Sequence, residues 1–183
     1  MNVFSTEIPG VLRFEPPVHG DARGFFMETW HRARYRGAGI VEEFVQDNVA
    51  LSRRGVLRGL HFQQPNPQGK LVSALRGEVF DVAVDVRRGS ATFGKWVGAC
   101  LSETNRHQLY VPPGFAHGYL VTSDEALFAY KCTANYEPAS ERTVRWDDPV
   151  IGIDWPNRAP TLSARDAAAP LLGDITALLP AYR

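Results

Sequence analysis

The sequence has no excess of charge of either sign. Among its 183 residues, Lys and Arg total 20 and Asp and Glu total 20, so the formal net charge is zero. Because proteins that bind nucleic acids in general carry a clear basic excess, the composition argues against such a function. An anionic ligand would instead have to be held by arginines and lysines gathered at one site.

Cysteine is also scarce. Cys100 and Cys132 are the two cysteines, and they form no CxxC motif. This spacing indicates neither a disulfide framework nor a structural zinc site. We expect two reduced thiols in or near a core, as is usual in the cytoplasm.

Long apolar runs are missing as well. A membrane-spanning helix needs about 20 predominantly apolar residues, and no stretch of this sequence approaches that length. The first residues, MNVFSTEIPG, lack the basic-then-apolar pattern of a signal peptide. We therefore expect a cytoplasmic protein that contacts neither membranes nor nucleic acids.

Short strand-like segments, in contrast, are abundant. Glycine and proline divide the chain into segments rich in Val, Phe, Tyr, Leu and Thr. Within residues 79–86, an apolar face alternates with a face that carries Asp81 and Asp85. Regularly spaced strands without helical patterns between them are typical of an antiparallel sandwich or barrel. We predict one all-β domain over residues 1–183, with strands at 79–86, 95–101, 108–111, 118–121, 126–133 and 142–146, a helix around 32–37 and an interrupted helical segment at 163–179.

The stretch 55–70, GVLRGLHFQQPNPQGK, places Arg58, His61 and Lys70 in an otherwise apolar strand pattern. Long cationic side chains and histidine are seldom buried without a partner or a ligand, so this stretch predicts the floor of a binding site. Strict alternation puts Arg58 and His61 on opposite faces, but a bulge at Gly59 would bring them together. The alternative is a histidine satisfied by its neighbours and an arginine at the sheet surface.

A second segment, VPPGFAHGY at 111–119, delivers His117 onto a strand directly after a P-x-G turn. Histidines on two such strands resemble the cupin double-stranded β-helix, whose metal sites combine an HxH pair, a glutamate and a later histidine. Here Gln63 occupies the second position of the pair, no glutamate lies between Gln63 and Gly77, and Lys70 adds a positive charge. Since a divalent metal needs three or four protein ligands, we predict a cupin without a metal.

A pocket that holds a base, cations and tyrosines suits proton abstraction next to a carbonyl group. His61 is a fitting base because its unperturbed pKa lies near neutrality. Lys70 or Arg58 would hold the enolate oxygen, and Tyr130 would return a proton from the opposite face of the carbon.

Several segments in fixed order are similar to the dTDP-4-dehydrorhamnose 3,5-epimerase family, the RmlC-type sugar epimerases of the cupin superfamily. They are GVLRGLHFQ with QGK, DVAVDVRRGSATFGKW, VPPGFAHGY, YKCTANY and LSARD, and the similarity runs from about residue 9 to residue 170. The resemblance implies a cupin-type jelly-roll barrel with short peripheral and C-terminal helices. It also implies a homodimer with exchanged N-terminal segments that needs no cofactor. The implied reaction is epimerisation of a dTDP-4-keto-6-deoxyhexose at C3 and C5, as in dTDP-L-rhamnose biosynthesis.

The resemblance further implies roles for single residues. His61 would be the base, oriented by Asp166, with Tyr130 as the acid and Lys70 as the group that stabilises the enolate. The pattern Ser163-x-x-Asp166 also fits a capping box, so a helix cap is the alternative for Asp166. The implied substrate-binding residues are Arg58, Gln46, Asn48 and His117, Tyr136 as the ring that stacks on thymine, Arg23 and Glu28 reaching the nucleotide from the partner subunit, and Glu141 with Arg165.

Two departures from the family pattern affect the expected pocket. The family commonly has a polar NHSRS-like run where this chain reads Asn48-Val-Ala-Leu-Ser52, and we expect the loss of polar groups beside the sugar to alter which hydroxyls are held. Arg165 stands where lysine is common. The alternatives are an epimerase that acts at only one of C3 and C5, a non-catalytic cupin that binds a sugar nucleotide, and a metal-dependent cupin oxygenase.

Overall fold

The computed structural model describes residues 1–182 and contains thirteen β-strands and a few short helices in that range. The strands are β1 (Asn2–Ser5), β2 (Leu12–Glu15), β3 (Val18–Asp21), β4 (Gly24–Met27), β5 (Gln46–Arg53), β6 (Leu57–Gln63), β7 (Lys70–Arg76), β8 (Glu78–Asp85), β9 (Trp96–Ser102), β10 (Gln108–Val111), β11 (Phe115–Val121), β12 (Glu125–Cys132) and β13 (Glu141–Thr143). The helices are α1 (Arg32–Gly37), α2 (Ala164–Ala167) and a 3₁₀ helix at Leu172–Leu178. The predicted all-β class is confirmed.

Two sheets pack against each other and a hairpin stands apart. The first sheet has the order β1-β2-β10-β7-β12-β5, the second has the order β13-β6-β11-β8-β9, and β3 pairs with β4 alone. Every pairing between these strands is antiparallel. Alternating apolar side chains from both sheets meet in a common core that includes Val72, Phe115 and Phe128. The antiparallel sandwich predicted from the strand spacing is therefore present.

The outer faces of the two sheets are covered to different extents. The C-terminal segment packs Trp155, Leu172 and Leu179 onto the outer face of the second sheet. On the first sheet, α1 buries Tyr35 against the outer side of β2, β7 and β10. The remainder of that face stays uncovered, and we call it the open outer face: exposed Val49, Leu51 and Leu75, bordered by Phe25 and Phe26 of the β3–β4 hairpin.

A bulge in β6 sets the direction of the side chains that the sequence singled out. His61 pairs with His117 and Arg58 with Tyr119, so three steps along β6 match two along β11. Gly59 has φ +142, and a Cβ built there would lie 2.5 Å from the Gly118 Cα. Only glycine fits this backbone conformation and this close approach. The bulge predicted at Gly59 is confirmed.

The predicted strand at 142–146 was wrong in its extent, because the strand ends at Thr143. Val144 still exchanges two backbone hydrogen bonds with Leu60, and the chain then turns away with Arg145 bonded to Pro170. The interrupted helical segment predicted at 163–179 is confirmed, since it forms two short helices, α2 and the 3₁₀ helix at Leu172–Leu178. Within residues 1–182, no helix is long and apolar enough to cross a membrane.

Candidate active site

Eight of the predicted site residues line one cavity of about 330 Å³. They come from β5, β6, β7, β12 and β13 and from the loops next to them. They are Gln46, Asn48, His61, Lys70, Tyr130, Tyr136, Glu141 and Arg165, and the remaining lining residues are Phe62, Gln63, Gln68 and Cys132.

His61 and Asp166 form a hydrogen-bonded pair at the wall of the cavity. The imidazole Nε2 lies 2.6 Å from Asp166 Oδ1, and the carboxylate is almost fully buried. Ser163 caps α2 by accepting a hydrogen bond from the Asp166 backbone N–H at 3.1 Å, and the Asp166 side chain turns to the histidine instead of back to the cap. The cap and the pair therefore coexist.

The pair is electrostatically suited to proton transfer. Burial alone would raise the pKa of Asp166, but the hydrogen bond from His61 and its charge outweigh burial and lower that pKa. Asp166 thus stays ionised and accepts a hydrogen bond from the Nε2–H of His61. This tautomer leaves Nδ1 of His61 as the nitrogen that can take up a proton.

Lys70 and Tyr130 face His61 from the opposite sheet. The Lys70 Nζ lies 6.0 Å from the centroid of the Tyr130 ring. Burial raises the pKa of Tyr130 above its usual value, so its hydroxyl is protonated at neutral pH. Burial also lowers the pKa of Lys70, while nearby acidic groups, Cys132 foremost, act in the opposite direction. The cavity therefore combines a histidine, a lysine and a protonated phenol.

His117 lies behind this wall, paired in register with His61. It is buried, and its Nε2 lies 2.8 Å from Asp81 Oδ2. Burial lowers the pKa of His117 although Asp81 acts in the opposite direction. Asp81 is not among the predicted catalytic residues, although its place on β8, a strand buried on both faces, indicates that its carboxylate needs an interior partner.

Gln63, Gln68 and Cys132 were not predicted as site residues. Gln63 is buried, donates to the carbonyls of Asn66 and Asn135, and accepts from the Glu137 N–H. Gln68 donates to the carbonyl of Ala134. Both amides therefore hold residues 133–140, the loop that carries Tyr136. The place of Cys132 in the pocket could have been predicted from the sequence, because it lies two residues after Tyr130 on one strand and so shares its face.

Besides His117, three predicted binding residues lie outside the cavity lining. Arg58 donates a hydrogen bond from Nε to Ser52 Oγ at 3.0 Å, and its charge favours the ionised form of Tyr130. Arg23 pairs with Asp21 on the β3–β4 hairpin, and Glu28 pairs with Arg34. Within one chain these two residues do not reach the cavity.

The expectation about Val49 and Leu51 was wrong. Both side chains are exposed and point away from the cavity, because β5 alternates and its inward positions are Asn48, Ala50 and Ser52. Of the three residues that differ from the family pattern, only Ala50 faces inward. The departure at 49 and 51 changes the open outer face instead of the surroundings of a sugar.

The donor groups of the pocket are engaged in hydrogen bonds rather than gathered for a metal. Across residues 1–182, no three side chains of His, Cys, Asp or Glu come together as a set that could hold a metal ion. The two site histidines each use Nε2 for a carboxylate, and Gln63 uses its amide for the loop.

Comparison with known proteins gives concordant results. The family model described as dTDP-4-dehydrorhamnose 3,5-epimerase matches residues 5–174. A curated relative of that name from Shigella flexneri is 56% identical over 168 residues, which are 91% of this chain and 93% of the relative. The solved structure of dTDP-6-deoxy-D-glucose-3,5-epimerase RmlC from Legionella pneumophila, in complex with dTDP-4-keto-L-rhamnose, is 52% identical with a TM-score of 0.97, covering 100% of this chain and 98% of that one. The rmlC epimerase of Mycobacterium tuberculosis has a TM-score of 0.95 at 42% identity, covering 100% and 94%. The likeness confirms the predicted cupin-type fold.

Proposed function

This chain belongs to the dTDP-4-dehydrorhamnose 3,5-epimerase family, and on that premise we propose that it is an isomerase that epimerises a dTDP-4-keto-6-deoxyhexose at C3 and C5. The observation that carries the proposal is the single cavity in which the His61–Asp166 pair, Lys70 and Tyr130 converge. Binding of a sugar nucleotide alone requires no base and acid on opposing walls.

The first step is removal of the proton from C3 or C5, next to the C4 carbonyl. His61 accepts this proton at Nδ1, and the ionised Asp166 stabilises the imidazolium that results. The electron pair moves from the C–H bond to the carbonyl oxygen, which becomes an enolate. Lys70, which lines the same cavity, stabilises that negative charge.

The second step inverts the carbon. Tyr130 donates its proton to the opposite face, and the electron pair returns from oxygen to carbon. His61 then carries one proton more and Tyr130 one proton fewer than at the start, so both exchange with solvent before the second carbon reacts. The raised pKa of Tyr130 supports its role as the acid, since it keeps the hydroxyl protonated beforehand.

The nucleotide part of the substrate is assigned to the half-exposed side of the cavity. Tyr136 stacks on the thymine, and Arg165 faces the diphosphate. Gln46 and Asn48 contact the sugar from β5, with Arg58 and His117 as further contacts. These roles follow the family resemblance and are supported by the common lining of most of these residues.

A homodimer completes the proposed site. The open outer face exposes Leu51, Val49 and Leu75 at 46–63% of their surface, which is an apolar patch that a second copy would cover. The β3–β4 hairpin borders this patch, so exchange of N-terminal segments would bring Arg23 and Glu28 to the partner's cavity. A cytoplasmic location and independence from metals also remain part of the proposal.

Incubation with dTDP-4-keto-6-deoxyglucose in heavy water tests the reaction. We expect deuterium at both C3 and C5 and a product with inverted configuration at both carbons, unchanged after exhaustive chelation. Label at one carbon only would indicate a single-site epimerase instead. Binding without label would refute catalysis, and activity that returned only with added iron would refute the metal-free mechanism.

A further inference from the structure

Glu141 occupies an unusual place for a binding residue of an anionic substrate. Its side chain is only 12% exposed, at the rim of the cavity. One carboxylate oxygen, Oε2, accepts hydrogen bonds from both the Tyr136 hydroxyl, at 2.5 Å, and Arg165 Nη1. A buried carboxylate in this position would repel a diphosphate. Its contacts are with the protein groups that are assigned to the nucleotide.

The hydrogen bond from Tyr136 fixes one end of a half-exposed ring. The ring is 48% exposed, so packing alone does not determine its orientation. Its backbone N–H donates to Gln46 Oε1 at 2.7 Å, and Gln63 and Gln68 hold the adjacent loop. Main chain and hydroxyl are therefore both tied, which leaves the face of the ring available to a planar group.

The charge state of the pair is consistent with this arrangement. Burial would raise the pKa of Glu141, but the hydrogen bonds from Tyr136 and Arg165 lower it. The hydrogen bond to Glu141 raises the pKa of Tyr136. Across neutral pH the phenol is thus the donor and the carboxylate the acceptor, a charge-assisted hydrogen bond of the stronger kind.

We propose that Glu141 is a positioning residue that holds the Tyr136 ring as a preformed platform for the nucleotide base, with Arg165 fixing the carboxylate from the other side. This inference rests on the proposed function, since it presupposes that a nucleotide base meets Tyr136. Glu141 acts through Tyr136 and not by contact with substrate. A platform that is ordered in advance improves affinity by reducing the entropy lost on binding.

Calorimetric titration of the full chain with dTDP and with inorganic pyrophosphate separates base binding from anion binding. For Glu141→Ala we expect the ratio of the Kd for dTDP to the Kd for pyrophosphate to rise about tenfold. Taking the ratio cancels the change in repulsion of the anion. We expect KM for the sugar nucleotide to rise similarly, while kcat stays within about threefold.

A double-mutant cycle identifies the route of the effect. Tyr136→Phe removes the same hydrogen bond from the other side, so the double variant should match Glu141→Ala within about twofold rather than add to it. Glu42→Ala is the matched control, because the Tyr110 hydroxyl donates to Glu42 Oε2 at 2.5 Å outside the cavity lining. That variant should leave both affinities unchanged.

The outcomes separate the inference from its premise. If the wild-type chain binds pyrophosphate but not dTDP, or binds neither, the proposed function itself fails. If the wild-type chain binds dTDP and Glu141→Ala leaves the ratio within twofold, the positioning role is wrong. Additive losses in the double variant, with thermal unfolding unchanged, would show that Glu141 contacts the ligand directly and would likewise overturn it.

Discussion

The proposed catalytic pair joins two residues that lie 105 positions apart in the chain. His61 is held by a central strand of the second sheet and Asp166 by a one-turn helix beyond the last strand. Neither residue is exceptional locally, since a strand histidine and a capped aspartate are both common. Their 2.6 Å hydrogen bond comes from the C-terminal segment packing on that sheet. The function of the pair therefore depends on tertiary packing.

Removal of the base gives a direct test at this scale. We expect His61→Ala to lower turnover by about a thousandfold or more, the upper part of the range for an essential general base. Affinity for dTDP should stay within a few-fold, because the base lies on the sugar side of the cavity. Steady-state kinetics together with titration of dTDP measure both. Unchanged turnover would show that another group removes the proton.

The sequence predicted the proposed reacting side chains better than the residues that support them. His61, Lys70 and Tyr130 carry recognisable motifs, so they were predicted and the structure brings them together. Gln63 and Asp81 act through partners that a linear sequence does not display: a loop 72 residues away in one case and a histidine 36 residues away in the other. Predicting such supporting residues requires knowledge of the register of the strands.

At the scale of elements, the β6 bulge determines which groups share a wall. Gly59 permits the crossing of β6 and β11 at a distance that no side chain tolerates. The glycine within the strand pattern predicted the bulge. The structure explains why glycine is needed there, since both the positive φ and the close contact with Gly118 exclude a side chain. The length of the neighbouring strand was not predictable, because β13 ends where the C-terminal segment diverts the chain at Arg145.

Glycine replacements should separate contact from backbone strain. We expect Gly59→Ala to lower the free energy of unfolding by at least about 3 kcal/mol, because strain at positive φ adds to a backbone clash. Gly24 also has positive φ, +129, but a Cβ there has no neighbour within 4 Å among the described residues. Gly24→Ala should cost only about 1–2 kcal/mol. Urea unfolding of both variants checks this, and equal losses would contradict the steric explanation.

We expect Tyr35 of helix α1 to make the stability of the protein sensitive to alkali. The Tyr35 hydroxyl donates to Gln108 Oε1 at 2.6 Å. Burial, aided by Glu28, raises the pKa of Tyr35 to about 12. The pKa of Tyr35 in the folded state lies above the unfolded value near 10, so the stability that the protonated phenol contributes is fully present below pH 10. It is lost as pH rises towards 12, by about 2–3 kcal/mol.

Tyr35→Phe should therefore change the shape of the stability curve. At pH 8 we expect a loss of about 1 kcal/mol from the missing hydrogen bond. Between pH 10 and 12, the stability of the variant should decline less steeply than that of the wild type. Urea unfolding at a series of pH values measures both effects, and parallel curves would refute the assignment.

At the scale of the whole molecule, the two outer faces differ in what covers them. The C-terminal segment closes one, whereas the open outer face presents apolar side chains from β5 and β7. Because the side chains of β5 alternate between the two faces of the sheet, Val49 and Leu51, which differ from the family pattern, lie on this surface. Sequence patterns predicted the strands and the motifs. The face of the sheet that a residue occupies followed only from the order of the strands.

Disruption of the open outer face tests the proposed dimer. We expect Leu51→Asp to shift the chain from dimer to monomer, since a buried unpaired charge opposes association. Affinity for dTDP should fall with it if Arg23 and Glu28 serve the partner's cavity. Val150→Asp, at a position 81% exposed elsewhere on the surface, is the control. Sedimentation velocity decides, and a wild-type monomer would end the dimer proposal.

Gln63 also bears on how readily this pocket could evolve. Histidine at that position would place a third imidazole beside His61 and His117, which is the start of a metal centre. The same change would release the Asn135 and Glu137 backbone groups that Gln63 now satisfies, and with them the loop under Tyr136. A metal site and the loop that supports Tyr136 thus place opposing requirements on residue 63.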